Sequence, residues 1–144
     1  MPQKLVSFYK ARWEMIHYLF FGMATTFINW LVYGMLMRLF AVSITVANVI
    51  SWIAAVTFAF FTNKVWVFES RSWQPKRVVR EAAAFLGARL SSGLVELAGV
   101  PLLVYLGLDQ TILGIEGFAA KVLIGIIVII LNYMLSKLLV FKGK

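Results

Sequence analysis

Cysteine is absent from this 144-residue chain, and histidine occurs once. Without thiols the chain can form neither a disulfide nor a thiolate metal site, and a lone His17 cannot build a metal centre. Acidic residues are also scarce, with 6 Asp and Glu against 14 Lys and Arg, and charged residues make up only 14% of the sequence. We therefore expect no metal and no cofactor.

Most of the remaining residues are apolar. They account for 62% of the chain, against about 45–50% in ordinary soluble domains. A soluble domain of this size has too little interior to bury so much apolar surface. The composition predicts an integral membrane protein.

Four apolar runs are long enough to cross a bilayer, which takes about 20 residues in a helix. They cover approximately residues 16–39, 43–66, 82–106 and 116–139. Continuous runs indicate helices rather than barrel strands, which would alternate at every second residue. The first uncharged run is longer than the apolar region of a signal peptide, about 7–15 residues, so we expect a retained span. Small residues should allow close helix contact, at Gly22, Gly34, Gly93 and Gly125.

The basic residues predict the orientation, because cations near the ends of spans favour the cytoplasmic side. Both termini and the middle connection should be cytoplasmic. The cations that this topology places inside are Lys4, Lys10, Arg12, Lys64, Arg71, Lys76, Arg77, Arg80, Lys137, Lys142 and Lys144. The outer side would keep Arg38 with Asp109 and Glu116.

The ends of the second and fourth spans carry nearly the same phrase, "NKVWVF" and "SKLLVF". Lys137 follows Lys64, and Phe141 follows Phe68, by the same 73 positions. This spacing predicts two parallel-repeat helical hairpins, a known way of building transporters. We expect one domain over residues 1–144, with repeat one about 12–68, a cytoplasmic loop about 69–81 and repeat two about 82–141. Alternatively, Lys and aromatic residues are simply what any span needs at its inner end.

Three ionisable residues lie inside predicted spans, where charge is costly and indicates function. Arg89 and Glu96 share one face of the third span, and Lys121 lies in the fourth. At about 1.5 Å per residue, Glu96 and Lys121 are close enough in depth for their side chains to meet. The surplus cation facing the bundle interior favours an anionic ligand such as a phosphate. The alternative is that both cations snorkel to the interfaces and that Glu96 is structural.

Motifs of soluble enzymes are missing from the sequence. There is no nucleophile with a nearby base, no carboxylate pair, and no Gly-rich phosphate loop followed by Lys-Ser/Thr. The net charge of +8 follows from membrane topology and does not call for nucleic acid. The protein is not expected to be an enzyme.

Several polar positions within otherwise apolar helices carry a family resemblance. They lie in "FGMATTFINWLVY", "FAFFTNKVWVF", "ARLSSGLVE" and "KVLIGIIVIILNYMLSKLLVFK". Over its whole length the chain resembles the GtrA-like family of small four-span membrane proteins. The last two segments look most like the branch with the teichoic-acid-glycosylation proteins of Gram-positive bacteria. Lys64 stands where many members have Arg.

The resemblance implies a flippase that moves a polyprenyl-phosphate-linked monosaccharide across the bacterial cytoplasmic membrane. A membrane glycosyltransferase would then use the sugar on a polysaccharide such as teichoic acid. Expected partners are this lipid, bulk membrane lipids, that glycosyltransferase and a second copy of the chain. The expected substrate-binding residues are Arg89, Glu96, Lys121, Asn29, Asn132, Ser136, Lys64, Lys137 and Asn63.

In this hypothesis Arg89 and Lys121 hold the phosphate in turn, with Glu96 between them. Two other functions stay open. A non-transporting subunit could support a glycosyltransferase in the membrane. A small cation or drug exporter could use Glu96 as a proton-coupled carboxylate.

Overall fold

The computed structural model describes residues 2–114 and 117–142. Two predictions lie outside the described residues. These are Glu116 as the start of the fourth span and Lys144 as a cytoplasmic cation.

Four α-helices follow one another along the chain: α1 (Pro2–Leu39), α2 (Ile44–Thr62), α3 (Pro75–Tyr105) and α4 (Phe118–Leu135). Helices α2 and α4 each continue into a five-residue π-helical turn, π1 (Asn63–Val67) and π2 (Ser136–Val140). Across residues 2–114 and 117–142 there is no β-strand. All four helical segments are long and apolar enough to span a membrane. The predicted all-α architecture of a multi-pass membrane protein is confirmed.

The absence of water in a bilayer explains why these sequences are helical. An unpaired backbone N–H or C=O in hydrocarbon costs several kcal/mol, so each spanning segment must pair its own backbone. Helix α4 includes the run "IIVII", whose β-branched residues have only moderate helix propensity in water. The membrane therefore overrides the local preference of these residues.

Helices α1 and α3 begin earlier than the predicted spans. The chain from Pro75 to Glu81 was predicted as loop but forms the first two turns of α3. Proline at the first helical position costs no hydrogen bond there. One turn later, Arg77 Nε donates to Glu81 Oε1 at 3.1 Å. Helix α1 likewise starts at Pro2 and runs for 38 residues. Apolar windows locate where a helix crosses a membrane, whereas these helices continue beyond that point.

The starts of α2 and α4 are fixed by different local devices. Ser43 caps α2, because its Oγ accepts the Val46 N–H at 3.3 Å. Gly117 precedes α4 with φ +68°, a conformation that favours glycine. A Cβ at Gly117 would also come within 3.0 Å of Val104 Cγ2.

Each half of the chain forms a compact unit that is a helical hairpin. In residues 2–73, α1 packs on α2, and in residues 74–142, α3 packs on α4. One aromatic contact occurs in both hairpins. The ring centroids of Tyr18 and Phe68 are 6.4 Å apart, and those of Phe85 and Phe141 are 6.2 Å apart. The second hairpin thus repeats the first, with α3 shifted by 67 positions from α1 and α4 by 73 positions from α2.

The two π-helical turns show the repeat most clearly. The N–H of Phe68 donates to the carbonyl of Asn63 at 2.8 Å, and the N–H of Phe141 donates to the carbonyl of Ser136 at 2.9 Å. Both phenylalanines are almost completely buried. Asn63–Val67 and Ser136–Val140 are 73 positions apart, the same spacing as the two sequence phrases, so the corresponding segments have the same local structure.

A buried lysine closes the first hairpin. Lys64 is fully buried, and its Nζ donates to Ser70 Oγ at 3.1 Å and lies 5.2 Å from the centre of the Trp73 indole. The Ser70 N–H in turn donates to the Lys64 carbonyl at 2.8 Å. We call Lys64, Ser70 and Trp73 the lysine clasp, since it ties the chain after π1 back to that turn.

Close helix contact occurs at a different glycine from those predicted. Outside its own stretch of helix, no described atom lies within 4 Å of a Cβ built on Gly22, Gly34, Gly93 or Gly125, so none of these glycines is at a close helix contact within its hairpin. At Gly99 a Cβ would lie 2.6 Å from Ile124 Cδ1 and 3.3 Å from its Cγ1. Gly99 therefore sets the approach of α3 to α4.

We expect Gly99→Leu to destabilise the second hairpin by about 1–3 kcal/mol, because the new side chain must displace Ile124. Thermal unfolding in detergent micelles would measure it. Gly87→Leu is the matched control, since nothing lies within 4 Å of its Cβ position. Equal melting temperatures for the two variants would contradict the close contact.

Removing the clasp hydroxyl should also destabilise the fold. Ser70→Ala removes the acceptor of a hydrogen bond that the buried Lys64 ammonium donates. Loss of such a bond should lower the free energy of unfolding by about 1.5–3 kcal/mol. Ser91→Ala removes a hydroxyl from an exposed position of α3 and should change stability by less than about 0.5 kcal/mol. Denaturant titration in mixed micelles compares them. A Ser70→Ala protein as stable as Ser91→Ala would mean that the clasp contributes nothing to folding.

Candidate functional site

The three charged residues predicted inside the spans are not paired with one another. Arg89 is half-buried, and its guanidinium lies 5.0 Å from the centre of the Phe85 ring, a cation–π contact. Glu96 and Lys121 are exposed in the single chain. Within the described part of the chain none of the three forms an ion pair. The expected approach of Glu96 to Lys121 is therefore not found.

The geometry of α3 explains why neither Arg89 nor Glu96 is fully buried within the second hairpin. Its buried stripe comprises Glu81, Phe85 and Ser92. A step of four residues overshoots a full helical turn by about 40°. Arg89 and Glu96 lie four residues after Phe85 and Ser92, so both are on the same flank of that stripe. Arg89 is accordingly half-buried and Glu96 is exposed.

The repeat relates these charges to amides in the first hairpin. Glu96 follows Asn29 by 67 positions, and Lys121 follows Asn48 by 73, the shifts that relate the paired helices. Asn29 is half-buried and Asn48 is exposed. One hairpin thus has two neutral amides where the other has a carboxylate and an ammonium. The two hairpins share a backbone plan but differ in charge.

Hydroxyl groups in the spans are satisfied by their own helices. Thr25 Oγ1 donates to the Phe21 carbonyl at 2.8 Å, and Ser92 Oγ donates to the Arg89 carbonyl at 3.0 Å. Thr62 Oγ1 donates to the Phe58 carbonyl at 2.9 Å in the same way. Such back-bonding is the usual state of Ser and Thr inside a helix. These hydroxyls are therefore poor candidates for binding a ligand.

Two buried amides are less well satisfied. Asn63 Nδ2 donates to the Ala59 carbonyl at 2.6 Å, but its Oδ1 has no hydrogen-bond partner among the residues described. Asn132 Oδ1 is also buried without a partner there. A buried oxygen without a donor costs about 1–3 kcal/mol, so each oxygen is a candidate acceptor for water or a ligand hydroxyl. Both asparagines were predicted as site residues.

The two lysines expected at the inner mouths of the repeats lie in different surroundings. Lys64 is buried in the lysine clasp and is not an open cation at a mouth. Lys137 is half-buried, and its Nζ donates to the Tyr133 hydroxyl at 3.3 Å. The adjacent Ser136 is buried, and its carbonyl accepts the bond that closes π2. Lys137 is therefore the more accessible of the two lysines.

Sequence reasoning missed two buried polar residues. Glu81 is fully buried and accepts from Arg77, and Ser70 completes the lysine clasp. Glu81 was detectable, because it follows Glu14 by the same 67 positions that relate α3 to α1. Ser70 had no signal, since it depends on a chain reversal at Glu69, where φ is +50°.

The chemistry of these residues suits an anion and hydroxyl groups. Arg89 and Lys121 offer positive charge, and the two asparagines offer hydrogen-bond acceptors. Among the described residues no three His, Cys, Asp or Glu side chains gather closely enough to hold a metal ion. Polar groups in apolar helices are costly in a membrane, so these residues are candidates for a functional site.

Comparison with known proteins agrees with this fold. The chain is 35% identical over 131 residues to the cell wall teichoic acid glycosylation protein GtcA of Listeria monocytogenes, covering 91% of this chain and 86% of that protein. GtcA of Listeria innocua is 36% identical with the same coverage. The membrane protein YwcD of Bacillus subtilis is 31% identical, covering 87% of this chain and 94% of YwcD. No solved structure matches the chain significantly.

The family model described as the GtrA/DPMS transmembrane domain matches residues 17–141. This range runs from α1 to Phe141, the residue after π2. It therefore includes both hairpins and both π-helical turns. The chain belongs to the GtrA/DPMS transmembrane domain family.

Proposed function

We propose that this protein flips a polyprenyl-phosphate-linked monosaccharide from the inner to the outer leaflet of the bacterial cytoplasmic membrane. The sugar then serves a glycosyltransferase that decorates a cell-surface polymer such as teichoic acid. The protein itself forms and breaks no bond. Its work is to bring a phosphate and a sugar, both strongly hydrated, through hydrocarbon.

Membership of the family and the names of the Listeria relatives support a role in glycosylation. The relatives match along most of their length, so the likeness concerns the whole fold rather than one fragment. It supports the pathway, whereas the chemistry of the ligand has to come from the residues of this chain.

The observation that carries the proposal is the unpaired charge in α3 and α4. Arg89, Glu96 and Lys121 form no ion pair in the described chain, although all three are in apolar helices. Charge in a span is stable only when a partner or water compensates it. Two cations against one carboxylate leave one positive charge, which a phosphodiester of charge −1 would neutralise.

Three asparagines fit the other half of the ligand. Asn29 and Asn63 of the first hairpin and Asn132 of the second provide amide groups, and the last two have buried oxygens without partners among the described residues. Sugar hydroxyls can donate to such oxygens. We assign phosphate binding to Arg89 and Lys121, with Glu96 holding the cations between cycles. Asn29, Asn63, Asn132 and Ser136 bind sugar hydroxyls, and Lys137 attracts the headgroup at the inner leaflet.

Lys64 has a narrower role in this proposal than in the sequence-based hypothesis. Because its ammonium is already bound in the lysine clasp, it supports π1 instead of meeting the substrate in the state described. The exposed positions of Glu96 and Lys121 also favour assembly of two or more copies. Their charges would then lie along a path bordered by a second copy.

Removing a cation from a span should slow flipping strongly. We expect Lys121→Asn and Arg89→Gln to slow headgroup exposure at least about tenfold, because a hydrogen bond to a charged group contributes about 1.5–3 kcal/mol. Asn is chosen at Lys121 because the first hairpin already has Asn48 at the equivalent position. Liposomes containing purified protein and a polyprenyl-phosphate sugar allow the outer-leaflet sugar to be measured over time.

Arg38→Gln serves as control for this assay, since it removes an exposed cation at the end of α1. It should flip at the wild-type rate. Normal flipping by Lys121→Asn and Arg89→Gln would contradict the assignment. A wild-type protein that flips nothing alone but co-purifies with a glycosyltransferase would show a supporting subunit instead.

The orientation can be tested with introduced thiols, because the chain has no cysteine of its own. We propose that the connection between the hairpins is cytoplasmic and that the connection after α3 is external. Ser72→Cys in intact cells should then resist a membrane-impermeant maleimide, whereas Asp109→Cys should react. The reverse labelling would overturn the orientation, and permeabilised cells provide the positive control for both.

A further inference from the structure

A groove in the first hairpin is not explained by the site in the spans. One face of α1 borders it with Tyr9, Trp13 and His17, and the chain at and after π1 borders it with Trp66, Glu69 and Arg71. We call these six residues the indole groove. It comprises two adjoining cavities of about 400 and 560 Å³ that share His17, Trp66 and Glu69. Volumes of this order are typical of small-molecule sites.

The indole of Trp66 is held in place with one face available. Phe21 stacks on it at a centroid distance of 5.7 Å and an angle of 22°, yet 57% of Trp66 is exposed. Phe21 therefore leaves more than half of the Trp66 surface available, and Trp66 borders both cavities. The face of an aromatic ring carries partial negative charge. It favours the weakly positive C–H groups on the apolar side of a pyranose ring.

Polar groups surround this platform. Glu69 and Arg71 are exposed, and neither has a side-chain partner within the described part of the chain. A carboxylate accepts hydrogen bonds from hydroxyls, and a guanidinium binds phosphate in a forked geometry. His17 is exposed at the border of both cavities. An aromatic face, a carboxylate and a guanidinium together match a sugar that carries a phosphate.

The backbone at Glu69 adds a second observation. Its φ of +50° is in the left-handed region, where glycine would be unstrained and other residues cost about 1–2 kcal/mol. Helices commonly end with glycine at such a position. The carboxylate is therefore present at a position where the fold itself would be better served by glycine. Strain of this kind concentrates at binding sites.

We propose that the indole groove binds the glycosyl-phosphate headgroup at the membrane surface before it enters the spans. Trp66 stacks on the sugar ring, Glu69 and His17 bind its hydroxyls, and Arg71 binds the phosphate. The identity of this ligand rests on the proposed flipping of a lipid-linked sugar. The groove is distinct from the residues of α3 and α4 and selects for the sugar at the inner leaflet.

Saturation-transfer NMR on purified protein in nanodiscs tests the groove directly. The probes are the 1-phosphates of D-glucose, D-galactose and N-acetyl-D-glucosamine, with the free sugars and inorganic phosphate as comparators. We expect transfer to the ring protons of at least one sugar phosphate. Trp66→Leu and Arg71→Gln should each weaken its binding about three- to tenfold, and a polyprenyl-phosphate form of the same sugar should compete with it.

Trp30→Leu is the matched control, because Trp30 is 72% exposed on α1 and outside the groove. It should bind as the wild type does. Glu69→Gly separates binding from folding. Its thermal stability should equal or exceed that of the wild type, since glycine relieves the left-handed strain. Its binding of the sugar phosphate should nevertheless be as weak as that of Trp66→Leu.

Two outcomes would contradict binding of the glycosyl phosphate in the indole groove. One is no transfer to any of the three sugar phosphates, and the other is equal binding by Trp66→Leu and Trp30→Leu. The liposome assay distinguishes failure of the groove proposal from failure of the proposed flipping function. If the groove is wrong but flipping is right, Trp66→Leu flips normally. If flipping is wrong but the groove is right, the wild type flips nothing while the NMR effects persist.

Discussion

This structure depends on one constraint: inside a bilayer, polar groups must find hydrogen-bond partners within the protein, because no water is present. Four helices pair their backbones within themselves, and hydroxyls such as that of Thr25 donate to carbonyls one turn earlier. Where a helix must end, the lysine clasp and the π-helical turns provide the missing partners. Against this background of satisfied groups, a few unsatisfied ones become informative. They are the charges of α3 and α4 and the oxygens of two buried asparagines.

The hairpins combine a common backbone plan with different chemistry. Ala47 and Ala120 are at equivalent positions and are completely buried. Phe68 and Phe141 are also equivalent, and each is at most 2% exposed. The polar positions diverge, because amides in one hairpin correspond to charges in the other. A lipid-linked sugar has the same duality, with a neutral hydroxyl-rich ring joined to an anionic phosphate.

The sequence predicted the parts of the fold that depend on periodicity and missed those that depend on tertiary contact. Apolar runs located four spans, and the spacing of Lys64 and Lys137 located the two corresponding segments at the ends of α2 and α4, although their π-helical form was not predicted. The early starts of α1 and α3 were missed, because hydropathy reports the bilayer and not helix continuity. Burial of Lys64 could not be predicted, since it requires Ser70 and Trp73 to return to the helix end. Glu96 is exposed because it is rotated slightly from the buried side of α3. Residue spacing in the sequence does not resolve so small an angle.

The π-helical turns also make the ends of the two hairpins sensitive to chain length. Wider turns of this kind occur at helix C-termini. Here the turn occurs twice at corresponding positions, with the same closing bond from a phenylalanine N–H, and each phenylalanine is buried. Each helical residue rotates the chain by about 100°. Deleting one residue from either turn would therefore turn the phenylalanine that follows away from its partner ring.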